Sequence, residues 1–149
     1  MAQRGYPDGS GPSLLYAVKQ VELAVRRHLD DLLRPSGVTT VQYTALTVLE
    51  RCPGLSSAEL ARASFVTAQS MADVVSALEV AGLVARQRDD ANRRRLVLDL
   101  TPAGKDLLAR LAPAVVQLER LMVSGLDDAE VQQLGRGLAS CRAALGRDE

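Results

Sequence analysis

Apolar positions along the chain change their period twice, and the changes divide it into helices around one short stretch of strand. Leu14, Val18, Val21, Val25, His28 and Leu32 fall at alternating steps of four and three, which predicts a helix over about 13–33. Pro35 and Gly37 end it. A second long helix is predicted from Thr101, with Pro102 in the favoured first position and Leu108, Leu111, Val115, Leu118 and Met122 on one face. Pro113 lies inside it and is expected to bend the helix or remove a hydrogen bond. The third begins at Asp127, with Glu130 three residues later, and repeats the seam at Val131, Leu134, Leu138, Cys141 and Leu145. A shorter helix over about 41–51 starts at the capping pair Thr39 and Gln42, with Val41, Ala45, Val48 and Leu49 expected to face the core.

Residues 56–104 organise the rest. Ser56 and Glu59 have the S-x-x-E spacing in which hydroxyl and carboxylate each satisfy a backbone N–H at a helix start. A helix over 57–64 follows, then a turn at Phe65 and Val66. Thr67 caps a helix running to about residue 81, with Met71, Val74, Val75 and Leu78 inward. Gly82 stops it, and the period becomes two: Leu96, Leu98 and Leu100 alternate with Arg95, Val97 and Asp99. Residues 83–88 form the first arm of a hairpin, with Asp89-Asp90-Ala91-Asn92 as its polar tip. The fold class is therefore mainly α with a small β-hairpin: a winged helix-turn-helix with helices at both chain ends. Such a fold suits double-stranded DNA, because a helix fits the major groove and a thin basic loop the minor groove.

Charge narrows this further. The 149 residues carry 18 basic and 18 acidic side chains, so overall charge cannot drive nucleic-acid binding. A local patch must, and Arg86, Arg88, Arg93, Arg94 and Arg95 against Asp89 and Asp90 give the hairpin about three net positive charges. Residues 1–12, rich in glycine and proline, read as a disordered arm. Nothing resembles a signal peptide or membrane span, so a cytoplasmic protein with no membrane contact is expected. Cys52 and Cys141 are neither a disulfide framework nor a metal motif. With one histidine, no nucleophile motif and no phosphate-binding glycine loop, neither an enzyme nor a cofactor is expected.

Leu78-Glu79, Gly82-Leu83-Val84, Asn92-Arg93-Arg94 and Leu100-Thr101-Pro102-Ala103-Gly104, in that order and spacing, resemble the MarR family of bacterial transcription regulators. The likeness runs from about Ser13 to Gly146. It implies one domain over 13–149, with the winged helix over about 39–100 and a helical dimerisation scaffold over 13–34 and 101–146. It further implies a homodimer on a near-palindromic operator that is often released by a small ligand or oxidant; a repressor is expected, with half-sites about 34–36 Å apart and a small aromatic or apolar effector.

The residues expected to touch DNA are Thr67, Gln69, Ser70 and Asp73 on the reading helix, Arg62 before it, and Arg86, Arg88, Arg93, Arg94 and Arg95 on the wing. Gln pairs with adenine edges and Asp accepts from cytosine. Asp73 stands where the family commonly has a basic or neutral residue, so phosphate anchoring falls to Arg62 and the helix N-terminus. Arg86, Arg88 and Arg95 serve equally well as phosphate contacts or as salt-bridge partners. Asn92 replaces the family's usual aspartate, which loosens the tip unless Asp89 or Asp90 substitutes.

His28 reads either as a packed seam residue or as a ligand contact or switch. Cys141, also on a seam, reads as a small buried hydrophobe. The alternatives left open are a monomeric bundle of the terminal helices, a winged helix used to bind protein, and a thiol-switched regulator.

Overall fold

The computed structural model describes residues 13–146, so the expected disordered arm lies outside the described residues. In chain order the elements are α1 (Leu14–Leu33), a 3-10 turn (Arg34–Ser36), α2 (Thr40–Arg51), α3 (Ser57–Ala63), α4 (Ala68–Val80), β1 (Val84–Arg88), β2 (Leu96–Leu100), α5 (Pro102–Met122) and α6 (Asp128–Leu145). Two compact units divide just after Pro113, one ending at Ala114 and the other starting at Val115. Helix α5 continues through the proline.

Local chemistry starts the helices. Ser13 accepts the Tyr16 N–H, and Thr39, Ser56 and Asp127 each form both halves of a capping box with Gln42, Glu59 and Glu130. In the first unit, Leu46 and Leu49 of α2, Leu60 of α3, Met71, Val75 and Leu78 of α4, Val84 of β1, Leu98 of β2 and Leu107 and Leu108 of α5 form one buried cluster. Tyr43 packs against it, and burial together with the Glu50 carboxylate pushes its phenol up from the ordinary value, with Arg51 opposing.

Two side chains of α2 depart from the expected face. Leu46 is fully buried, whereas Val41 is exposed and lines a cavity beside α1. The helix is rolled so that positions 45, 46 and 49 point inward.

The strands pair antiparallel, Val84 opposite Leu100 and Arg88 opposite Leu96. Expected alternation along β2 holds only in part: Leu98 is buried, but so is Val97 at 6% exposure, while Leu96 is 44% exposed. Helices α2 and α3 pack on the strand, and Leu96 lies at its tip end, away from that cover. Leu98 is also bridged to Leu55: its N–H donates to the Leu55 carbonyl at 2.8 Å, and its carbonyl accepts from Gly54 at 3.1 Å.

Where the hairpin meets α5 the chain is tightly stitched. Thr101 donates its hydroxyl to the Gly82 carbonyl (2.6 Å) and its N–H to the Leu83 carbonyl (3.1 Å), and it accepts the Gly104 N–H (3.1 Å). Gly82 has φ +75°, a conformation open to glycine. Gly104 must lack a side chain, because a Cβ there would stand 2.3 Å from the Leu83 oxygen.

The second unit buries none of its described residues; Leu121, Leu134, Leu138 and Leu145 are exposed. Leu14, Leu15, Tyr16, Val18, Val21 and Leu23 of α1 are exposed as well, and Leu33 is the one fully buried residue of that helix. Cys141 is exposed, contrary to its reading as a buried hydrophobe, and Cys52 is exposed too. Among the described residues no helix is long and apolar enough to cross a membrane.

Candidate nucleic-acid interface

Helix α4 is anchored on one side and open on the other. Met71, Val75 and Leu78 are buried to 1% exposure or less, so Gln69, Asp73 and Ser76 are turned outward and exposed. Thr67 caps the helix: its hydroxyl oxygen accepts the Ser70 N–H at 3.1 Å and its O–H donates to the Ser70 hydroxyl at 3.0 Å. Thr67 and Ser70 are thus partly spent on the helix start, and Gln69 and Asp73 are left as the first outward side chains. Arg62 occupies the last turn of α3, exposed.

The turn between α3 and α4 is closed by backbone bonds from Ser64 to Leu60, Phe65 to Arg62 and Val66 to Ala61. Phe65 holds φ +55°, unusual for a residue with a side chain, and its ring is exposed. Such a conformation costs on the order of 1–2 kcal/mol and persists because the turn bonds around it fix it.

The wing arginines separate by what they touch. Arg86 donates to Glu79 of α4 at 2.9 Å, tying β1 to the reading helix. Arg88 donates to the Arg93 carbonyl at 2.8 Å across the tip. Arg95 pairs with Asp89 at 2.9 Å and with Glu59 of α3, whose carboxylate also accepts the Ser56 N–H. Arg93 stands 3.8 Å from Asp90 in a loose exposed pair, and Arg94 is exposed. Arg93 and Arg94 are therefore the arginines presented at the tip, whereas Arg86 and Arg95 brace the hairpin.

Asn92 does not leave the tip loose. Its side-chain oxygen accepts the Arg94 N–H at 3.2 Å, and Asp89 accepts the Ala91 N–H at 3.0 Å while holding Arg95. These are local side-chain-to-backbone turns of the kind Asn and Asp favour.

Glu59 therefore has two jobs, and two substitutions separate them. Glu59→Gln keeps an acceptor for Ser56 but loses the partly exposed ion pair, and is expected to cost under about 1 kcal/mol. Glu59→Ala loses the cap as well, for about 1–2 kcal/mol in all. Urea midpoints of both variants against the parent check the order.

His28 is exposed on α1 and is not among the residues lining a cavity of about 520 Å³ between α1, the start of α2 and the α3–α4 turn. Glu22, Arg26, Val41, Ser64, Phe65 and Val66 do line it, and the sequence patterns had marked none of them as ligand contacts. Among the described residues no group of three or more acidic, histidine or cysteine side chains could hold a metal.

A capped helix-turn-helix followed by an antiparallel hairpin with an arginine tip defines a winged helix-turn-helix protein. A family model described as MarR family matches residues 36–95. The HTH-type transcriptional repressor Rv2887 of Mycobacterium tuberculosis is 41% identical over 102 residues, which are 68% of this chain and 73% of that protein. A crystal structure of Rv2887 with salicylic acid superposes with a TM-score of 0.71 at 33% identity, covering 90% of this chain and 98% of that one. The transcriptional repressor CouR bound to a 23-mer DNA duplex gives 0.76 at 29% identity, covering 86% and 91%. The chain belongs to the MarR family, and so is a transcriptional regulator and not an enzyme.

Proposed function

We propose that the chain is a repressor that binds a near-palindromic operator as a homodimer, each protomer laying α4 in a major groove and the Arg93–Arg94 tip in the adjoining minor groove. The observation that carries this is the two-sided character of α4: its apolar stripe is buried, and its polar face at the N-terminal end is presented to solvent in the same unit as an arginine-tipped hairpin. Gln69 and Asp73 read bases in this arrangement, Thr67 and Ser70 hold the helix start, and Arg62, Arg88, Arg93 and Arg94 meet backbone or minor groove, with Arg86 and Arg95 as braces. CouR was solved on a DNA duplex, which supports the same use of the fold here.

The test is protection of a fragment upstream of the protein's own gene. A two-lobed footprint with lobes about one helical turn apart is expected. Log affinity should fall linearly with log salt, by about 0.9 for each phosphate neutralised. A protein indifferent to every duplex offered would instead fit a protein-binding winged helix.

Dimerisation through residues 13–34 and 101–146 accounts for the apolar side chains a single chain leaves exposed on α1 and α6. Leu134 and Leu138 lie one helical turn apart on α6. Replacing both with glutamate is expected to give a monomer in sedimentation velocity with unchanged helix content by circular dichroism, because neither side chain is buried within one chain.

An effector is the other half of the reading. Rv2887 was solved with salicylic acid, and the cavity beside the α3–α4 turn has the size of a small-molecule site. A ligand there releases DNA only if it favours the arrangement that does not fit the operator. Exposure of both cysteines also permits a thiol switch; oxidant-induced release that persists in a Cys52→Ser, Cys141→Ser double variant would eliminate it.

A further inference from the structure

Among the described residues two buried side-chain polar atoms have no hydrogen-bond partner: one carboxylate oxygen of Glu22 (Oε2) and the hydroxyl of Ser64. They come from different parts of the chain, the middle of α1 and the end of α3, yet both residues line the same cavity of about 520 Å³. Both atoms are shielded although the Glu22 side chain as a whole is 40% exposed, so an occupant that supplies donors satisfies them once these side chains turn toward the cavity.

Charge points the same way. Among the described residues Glu22 and Asp30 line the cavity against Arg26. Arg26 is already paired with the other oxygen of Glu22, and Asp30 accepts the Thr40 hydroxyl at 2.6 Å. The described lining thus carries one net negative charge, Arg26 is spent, and a carboxylate entering beside Glu22 would meet a like charge. Apolar contacts are available for the rest of a ligand: Val41, Val66 and the exposed ring of Phe65.

We infer that the cavity binds a small molecule with a flat apolar body and a cationic, hydrogen-bond-donating head such as an amine or amidine, the head bound by Glu22 and Ser64 and the body by Val41, Phe65 and Val66. This differs from the aromatic acid seen on Rv2887. It rests on the effector reading above and gives it a chemical class. The route to DNA is short. Ser64, Phe65 and Val66 are the turn that delivers Thr67, and Thr67 fixes the start of α4. A ligand that draws Ser64 toward Glu22 acts on the chain immediately before the reading helix.

Benzamidine, benzamide and benzoate share one ring and differ in the charge and donors of the head. Titrated calorimetrically into the full chain, they are expected to bind in that order, benzamidine at least roughly tenfold tighter than benzoate. Glu22→Gln keeps the length and one acceptor but removes the charge, and should collapse the benzamidine preference to within a few-fold. Ser64→Ala should weaken benzamidine and benzamide together. Equal or tighter binding of benzoate, no binding by any of the three, or an unchanged preference in Glu22→Gln would each overturn the inference.

The same probes added to preformed operator complex, followed by fluorescence anisotropy, separate the two layers. Benzamidine that binds but releases no DNA leaves the cavity chemistry standing and removes its regulatory role. Release by benzoate and not by benzamidine keeps an effector and removes the cationic one.

Discussion

Alanine at both Arg93 and Arg94 is expected to weaken operator binding about 10- to 100-fold at physiological salt, equivalent to roughly 1.4–3 kcal/mol, and to lower the salt slope by about two. The size follows from what the other wing arginines do. Arg86 is held by Glu79 and Arg95 by Asp89 and Glu59, so losing the tip pair removes two outward charges of the wing and breaks no more than the loose Arg93–Asp90 pair. The fold should therefore survive, with an unchanged thermal midpoint as the control. Sequence preference should be largely retained, because phosphate and minor-groove contacts weaken all sites alike while the proposed base contacts of Gln69 and Asp73 are untouched. Unchanged affinity would refute the wing assignment. A matched loss with Arg95→Ala alone would mean that the brace matters more than the tip.

Gly104→Ala is expected to be among the most damaging single changes of fold, although alanine is the better helix former. The added Cβ would sit 2.3 Å from the Leu83 oxygen and 3.3 Å from its carbonyl carbon, both backbone atoms. That oxygen is already the acceptor for Thr101, so it cannot move aside without loosening the start of α5. A loss of roughly 2–3 kcal/mol, seen as a fall of about 5–10 °C in the calorimetric midpoint, is the expected outcome. A midpoint at or above the parent's would show that the Leu83–Gly104 approach is slacker than its geometry indicates.

What could be read from the sequence was what short-range chemistry decides. Ser56 with Glu59, Thr39 with Gln42 and Asp127 with Glu130 form their capping boxes where the spacing put them, because partners three residues apart need no help from the fold. The inward stripe of α4 was legible for the same reason. Long-range cover was not. Val97 looked like the outer face of a strand and is buried, although it stands outside the cluster that holds Leu98, and Val41 looked like core until α2 rolled it toward the cavity. Seam spacing showed that one face of α6 is apolar but not what would cover it, so Cys141 was read as buried and is exposed. His28 stood on such a seam and is exposed as well. In the candidate site, the choice between DNA contact and brace for Arg86 and Arg95 needed the positions of Glu79 and Glu59 on other helices. Glu22 and Ser64 carried no pattern, because their relation exists only once α1 lies beside the α3–α4 turn.

If the proposed function holds, the bridge between Leu55 and Leu98 limits how the protein can let go of an operator. With β2 bonded to β1 on one edge and to the α2–α3 connection on the other, the finger has no hinge at its root. Play is left to the knuckle at 89–95, too short a segment to lift an arginine clear of a groove by itself. In the proposed homodimer, dissociation would therefore carry α4 and finger away together, as one block turning against its twin. Variants that stiffen or slacken that turning should alter how fast an operator is vacated while leaving untouched which operator is chosen.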